Sequence, residues 1–226
     1  MIFLTGDTHG KFKHRFSHEN FPQKALTTKK DIVIILGDFG GVFSGGALEQ
    51  SSLDWLNSQP FTTAFIDGNH EAFPLLEKFP TRHWCGGEVG EVRNSVFHLK
   101  RGQVYTIQGN TFFAMGGAPS IDRNSRIEGV SWWKEEIPSH VEYGKAIDKL
   151  HEWHWTVDYI LTHTAPDGLV EKFLPLLSVY DQSLNKFLDT VLNVATYHKH
   201  FFGHFHQDLE VGDKHQLLYE KIIQIK

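Results

Sequence analysis

The sequence predicts an α/β fold, with two sheets packed face to face and helices on the outside. Three observations carry this. Short continuous apolar runs, each followed by a Gly- or His-containing polar block, alternate with helical stretches at both ends of the chain, as strands buried on both faces of a sheet do. The middle, Val96 to Met115, alternates like solvent-edged strands, with turns at Gly102 and Gly109-Asn110. The tail, Leu209 to Ile225, reads as further strands broken at Gly212-Asp213.

Taken in order, Ile2 to Thr5 is the first strand and runs into Gly6-Asp7-Thr8-His9-Gly10. Ile32 to Leu36 runs into Gly37-Asp38-Phe39-Gly40-Gly41. A helix is expected over Ala47 to Asn57 on Leu48, Leu53 and Leu56, stopped by Pro60. Phe61 to Ile66 then leads to Asp67-Gly68-Asn69-His70-Glu71. Ser139 and Glu142 have capping-box spacing behind Pro138, which places a helix from about His140 to Trp153. Tyr159 to Leu161 precedes Thr162-His163-Thr164, and Lys199 to Phe202 precedes Gly203-His204-Phe205-His206. No repeat, low-complexity tract or Pro/Gly/Ser linker divides the chain, so a single domain over 1–226 is expected.

Composition narrows the function classes. A hydrophobic fraction of 40% and a charged fraction of 22% are ordinary for a soluble globular domain. One cysteine, Cys85, rules out a disulfide framework within the chain and suits a reducing compartment. The start of the chain has no basic segment followed by a sustained apolar run, so a cytoplasmic location is expected and membrane insertion is not. A formal charge of −5 without a Lys/Arg cluster beyond Thr27 to Lys30 disfavours tight binding of nucleic acid.

Ligands in an α/β sheet gather at the carboxyl ends of its strands, so all five polar blocks fall at one rim. A dinuclear metal site needs hard or borderline ligands on two ions, one ligand between them, and open positions for water and substrate. Asp7 and His9, two apart on what reads as an extended segment, present both side chains on one side, and His204 and His206 repeat that spacing. Asp38 follows a buried strand and a glycine, where a carboxylate can bridge. Asn69 offers a neutral amide oxygen and His163 a further imidazole. With five of the 15 histidines in these blocks, the remaining ten are read as structural or incidental.

These blocks, spanning positions 7 to 206 in order, resemble the signature of the calcineurin-like metallophosphoesterases. Each alone is weak; five in order are specific. The resemblance implies an αββα sandwich of two mixed sheets flanked by helices. It implies one ion on Asp7, His9, Asp38 and His206, and a second on Asp38, Asn69, His163 and His204, with Mn, Fe, Zn and Ni all compatible. It also implies that His70 faces the substrate and protonates the leaving oxygen, a role suited to a histidine near neutrality. Attack would come from a hydroxide between the ions. The reaction implied is hydrolysis of a small phosphomonoester or phosphodiester.

Two departures separate the chain from the protein phosphatases of this superfamily. Their Gly-Asp-x-x-Asp-Arg reads Gly37 to Val42 here, with Gly41 and Val42 in place of the Asp that orients the catalytic histidine and the Arg that grips phosphate. Their arginine after Asn-His-Glu is replaced by Ala72-Phe73-Pro74. Arg123 and Arg126, in the polar loop after Met115, are the candidates for a substitute phosphate clamp. Alternatives are a protein phosphatase, a nuclease, and, outside enzymes, a catalytically inactive binding scaffold with the same fold or a metal-storage or metal-sensing protein.

Overall fold

The computed structural model describes residues 1–175 and 182–225. Its strands are β1 Ile2–Thr5, β2 Ile32–Leu36, β3 Thr62–Ile66, β4 Thr81–Trp84, β5 Gly87–Arg93, β6 Val96–Leu99, β7 Gln103–Ile107, β8 Asn110–Met115, β9 Tyr159–Thr162, β10 Lys199–Phe202, β11 Leu209–Val211, β12 His215–Leu217 and β13 Ile223–Ile225. Its helices are α1 Phe12–Arg15, α2 Ala47–Asn57, α3 Phe73–Leu76, α4 His140–Glu152, α5 Asp167–Val170 and α6 Gln182–Val194. The first sheet has the order β13-β1-β2-β3-β6-β5-β4 and the second β11-β12-β10-β9-β8-β7. Both are mixed. β1, β2, β3 and β6 run parallel, as do β8, β9 and β10, while hairpins and the last strand pair antiparallel.

The period of two along each strand sets the layers. In β1, Ile2 and Leu4 join Ile34, Ala64 and Phe97 in a cluster shared with Tyr105, Phe112, Leu161 and Phe201 of the other sheet. Phe3, Val33, Ile35 and Phe65 face the opposite way, onto Leu53 and Leu56 of α2 and the aromatic side chains of Phe12 and Phe16. On the second sheet Val104, Phe113 and Ile160 turn outward onto Ala146 and Leu150 of α4 and Leu188 and Val191 of α6. Helix, sheet, sheet and helix therefore stack around three apolar layers. The fold is an αββα sandwich.

The expected elements form where their signals lie. Ser139 caps α4, its hydroxyl accepting the Glu142 amide while the Glu142 carboxylate accepts the Ser139 amide at 2.7 Å. Leu53 and Leu56 are buried in α2, but Leu48 is 87% exposed, so the buried stripe starts a turn later than its leucines suggest. β4 and β5, which the sequence did not announce, form an edge hairpin. β4 is almost wholly exposed and polar, so it carries no alternation. Among the described residues no helix is long and apolar enough to cross a membrane.

Candidate metal centre

The carboxyl ends of β1, β2, β3, β9 and β10 bring the five polar blocks together. Backbone bonds lace them. The His9 amide donates to the Asp38 carbonyl at 2.8 Å, Gly10 to Phe39 at 2.9 Å, and Gly203 to the His163 carbonyl at 2.9 Å. Asp7, His9, Asp38 and His206 each present a ligand atom within 4.8 Å of one another, and so do Asp38, His163 and His204. Asp38 belongs to both groups.

Neighbouring bonds fix the orientation of these side chains. His163 Nδ1 donates to the Leu36 carbonyl at 2.7 Å, which leaves Nε2 facing Asp38 Oδ1 at 3.3 Å. Both Asp7 oxygens accept the His204 amide at 3.0 Å. Asp38 Oδ1 accepts the amides of Asn69 and His70, each at 3.0 Å. Asn69 Nδ2 donates to Ser120 Oγ at 3.2 Å, so its Oδ1 turns inward, 3.3 Å from His163 Nε2. Ser120 in turn donates to Glu136 at 2.9 Å. Neither Ser120 nor Glu136 stands out in the sequence, where Lys134-Glu135-Glu136 looks like a solvated charge run.

The same-side argument from an extended chain does not hold. β1 ends at Thr5, and Asp7 and His9 lie in the loop beyond it. His9, Asp38, His204 and His206 all have positive φ, at 44°, 46°, 74° and 49°. Convergence comes from left-handed backbone, a local cost that concentrates where function overrides conformational preference. The glycine ahead of several of these residues has a steric reason. A Cβ on Gly37 would lie 2.1 Å from His163 Nδ1, one on Gly68 2.3 Å from Asp38 Oδ1, and one on Gly203 2.7 Å from Asp7 Oδ2.

The electrostatics fit cations. Burial, and then the Asp38 charge, push the Asp7 carboxyl up to about 8. Burial alone would raise Asp38 too, but His163 holds it well below the usual range. His163 is driven the other way: burial opposes its charge, yet Asp38, with Asp7 behind it, raises it to about 10. Burial brings His9 down to about 4 and His204 to about 3, so both offer neutral lone pairs at pH 7. Protons are therefore favoured both on Asp7 and on His163, at the positions whose charge a divalent ion would otherwise balance. The donor set of imidazole, carboxylate and amide oxygen suits Mn, Fe, Zn or Ni.

Around this centre lies a cleft of about 430 Å³, lined by Asp38, Asn69, His70, Arg126, His204 and His206 among others. Arg126 reaches it, with Nε 2.8 Å from Asp122, Nη1 donating to the Ser131 carbonyl at 3.2 Å, and Nη2 donating to His70 Nε2 at 3.3 Å. Arg123 does not. It opens the 3₁₀ turn Arg123–Ser125, is exposed, and is not among the residues lining the cleft. Among the described residues the His70 imidazole meets no carboxylate in a hydrogen bond; its ring nitrogen Nε2 is hydrogen-bonded to Arg126. Position 41 faces away from the site altogether, since a Cβ there would meet Phe39, Leu53 and Phe12 at 2.5, 3.0 and 3.1 Å. Glu71 does not join the ligand atoms but ties two loops, accepting the amides of Gly40 and Gly68 at 3.2 and 2.5 Å.

This fold, with such a donor set at the strand ends, defines a class, the metallophosphoesterases. The chain belongs to the calcineurin-like phosphoesterase family, whose model matches residues 1–208. Among solved structures it is similar to a candidate 5'-nucleotidase from Staphylococcus aureus in complex with alpha-ketoglutarate, at 14% identity and a TM-score of 0.51. That alignment covers 98% of this chain and 49% of the other, so the chain spans about half the length of that neighbour. It is also similar to a phosphopantetheinyl hydrolase from Mycobacterium tuberculosis, at 16% identity, 97% and 89% coverage and a TM-score of 0.47. At such identities the first likeness is one of fold, and the second is too loose to argue from. A search of curated protein sequences finds no match.

Proposed function

We propose that this chain is a metal-dependent phosphoesterase, a single domain over 1–226, that hydrolyses small phosphomonoesters or phosphodiesters by in-line attack at a dinuclear centre. The observation that carries the reading is Asp38, the one carboxylate common to both ligand groups. Asp7, His9, Asp38 and His206 would hold one divalent ion, and Asp38, Asn69, His163 and His204 the other. Bound there, two such ions acidify the attacking water and neutralise charge on the phosphate.

The chain's own residues do the rest. His70, at the cleft beside Arg126, supplies a proton to the leaving oxygen from its other ring nitrogen, since Nε2 accepts from Arg126 and an alkoxide leaves poorly. Arg126, pre-aligned by Asp122 and the Ser131 carbonyl, turns a donor onto a non-bridging phosphate oxygen. The cleft's modest volume favours a small substrate over a protein surface. The core-facing position 41 supports the same choice, because the histidine-orienting Asp of the protein phosphatases has no counterpart there. Cys85, with its thiol pushed up by burial, suits a reducing cytoplasm.

Treatment with chelator should abolish hydrolysis of p-nitrophenyl phosphate or bis-p-nitrophenyl phosphate, and Mn, Fe, Zn or Ni should restore it. Activity that survives stripping of all bound metal would sink the proposal. Arg126→Ala should lower kcat/KM by about 10- to 100-fold, the value of a charge-assisted hydrogen bond of about 1.5–3 kcal/mol. Arg123→Ala should leave kcat/KM at the wild-type value. Equal losses in the two variants would count against Arg126 as the clamp.

A further inference from the structure

The family match ends at residue 208, yet the chain beyond it returns to the candidate centre. β13 pairs antiparallel with β1, and between β12 and β13 the segment 218–221 crosses beside the Gly6-Asp7 loop. There Tyr219 lies flat on the imidazole of His206, with ring centroids 4.7 Å apart and planes at 22°. His206 needs such a support. It is exposed, its backbone is left-handed, and its other aromatic neighbour is the edge-on ring of His9.

Tyr219 itself is held from three sides. Its carbonyl accepts from the Gly6 amide at 3.2 Å and from the guanidinium of Arg15. Arg15 is 6% exposed, and its guanidinium donates to neutral oxygens: the Thr5 hydroxyl and the carbonyls of Gly6, Asp7 and Tyr219. A buried guanidinium spent on carbonyls is an expensive fastening, and this one joins the Asp7 loop to the C-terminal segment. On the other flank the Asp208 carboxylate accepts the amides of Tyr219, Glu220 and Lys221 at 2.8, 3.1 and 3.2 Å. The fit at Gly6 is tight enough that a Cβ would lie 1.9 Å from the Leu218 carbonyl oxygen.

We propose that Tyr219 is a positioning residue for the metal centre. Its ring sets the plane of the His206 imidazole, and Arg15 and Asp208 fix Tyr219 in turn. This rests on the metal reading of the site given above. It assigns the segment after residue 208 to one ligand set in particular, that of Asp7, His9, Asp38 and His206. The set of Asp38, Asn69, His163 and His204 has no contact with Tyr219 among the bonds and ring contacts of the described residues.

Calorimetric titration of metal-stripped protein with Mn²⁺ tests this directly. Wild type should bind two ions per chain. Tyr219→Leu should weaken one of them by about 10- to 100-fold, the usual effect of removing a ligand's outer support, and leave the other unchanged. Tyr219→Phe, which keeps the stacked ring, should restore both. Equal affinities at both sites in wild type and Tyr219→Leu would overturn the proposal. Wild type that binds no Mn²⁺ would instead overturn the metal reading beneath it. A second measurement needs no variant at 219. In stripped wild type the His206 ring-proton resonances, identified by their loss in His206→Ala, should lie upfield of a solvated histidine's because of the stacked ring. Resonances at solvated positions would overturn the proposal even if Tyr219→Leu fails to fold.

Discussion

Asp38→Asn is expected to abolish phosphoester hydrolysis. Asp38 contributes to both ligand groups, so its loss strips a charged oxygen from each at once. A divalent ion contributes several kcal/mol of charge stabilisation in the transition state. At about 1.4 kcal/mol per factor of ten, kcat/KM should fall by at least about 10³-fold. Asparagine keeps an oxygen that can accept the Asn69 and His70 amides, so the loop geometry has a means of surviving. Steady-state kinetics on bis-p-nitrophenyl phosphate, with metal content measured on the same sample, decide the matter. Full metal occupancy with kcat/KM within tenfold of wild type would refute the role of Asp38. By contrast, single-set substitutions such as His206→Ala and His204→Ala should each compromise one ion.

The candidate metal centre was legible in the sequence because residue types able to hold a metal recur there in a set order. Asp7, His9, Asp38, Asn69, His163, His204 and His206 follow their strands as the alternation of apolar run and polar block suggests, and the structure brings all seven together. The sandwich was legible for a related reason: strands such as Ile32–Leu36 are buried throughout, so their composition is nearly unmixed. What the sequence hid depends on backbone path and long-range contact. Nothing local distinguishes Arg126 from Arg123, since only the turn between them decides which guanidinium meets His70. The lack of a partner for His70 at Gly41 was legible, but not that the backbone there points into the Phe12, Phe39 and Leu53 packing. Tyr219 sits 13 residues after His206 in an unremarkable tail, and only the pairing of β13 with β1 places it on that ring. The hairpin of β4 and β5 was silent because an edge strand such as Thr81–Trp84 needs no apolar face.

The largest effect on stability is expected from Asp67→Ala, a residue that reads as an ordinary turn acid. Asp67 is 1% exposed and meets Arg101 through both Nε, at 2.8 Å, and Nη2, with His98 Nε2 on its other oxygen at 2.9 Å. Arg101 also donates to the Glu135 carbonyl at 2.9 Å, so the cluster ties the β3 turn to the loop that carries Glu136. Removing one partner of a buried pair leaves the other charge uncompensated, a loss of about 3–5 kcal/mol. For a domain of this size each kcal/mol moves Tm by about 2–4 °C, so a fall of about 6–20 °C is expected in the metal-stripped protein. The sign with pH separates this from simple loss of packing. Burial would raise the Asp67 carboxyl, but Arg101 and then His98 hold it well below its ordinary range. A depressed folded value stabilises fully above the unfolded pKa of about 3.9 and progressively less as pH falls toward the folded value. The Tm gap between wild type and Asp67→Ala should therefore be constant around neutrality and narrow below about pH 4. A gap that stays constant into acid would mean that the carboxylate's charge contributes nothing, and that the Asp67 side chain acts only by filling space beside Gly116.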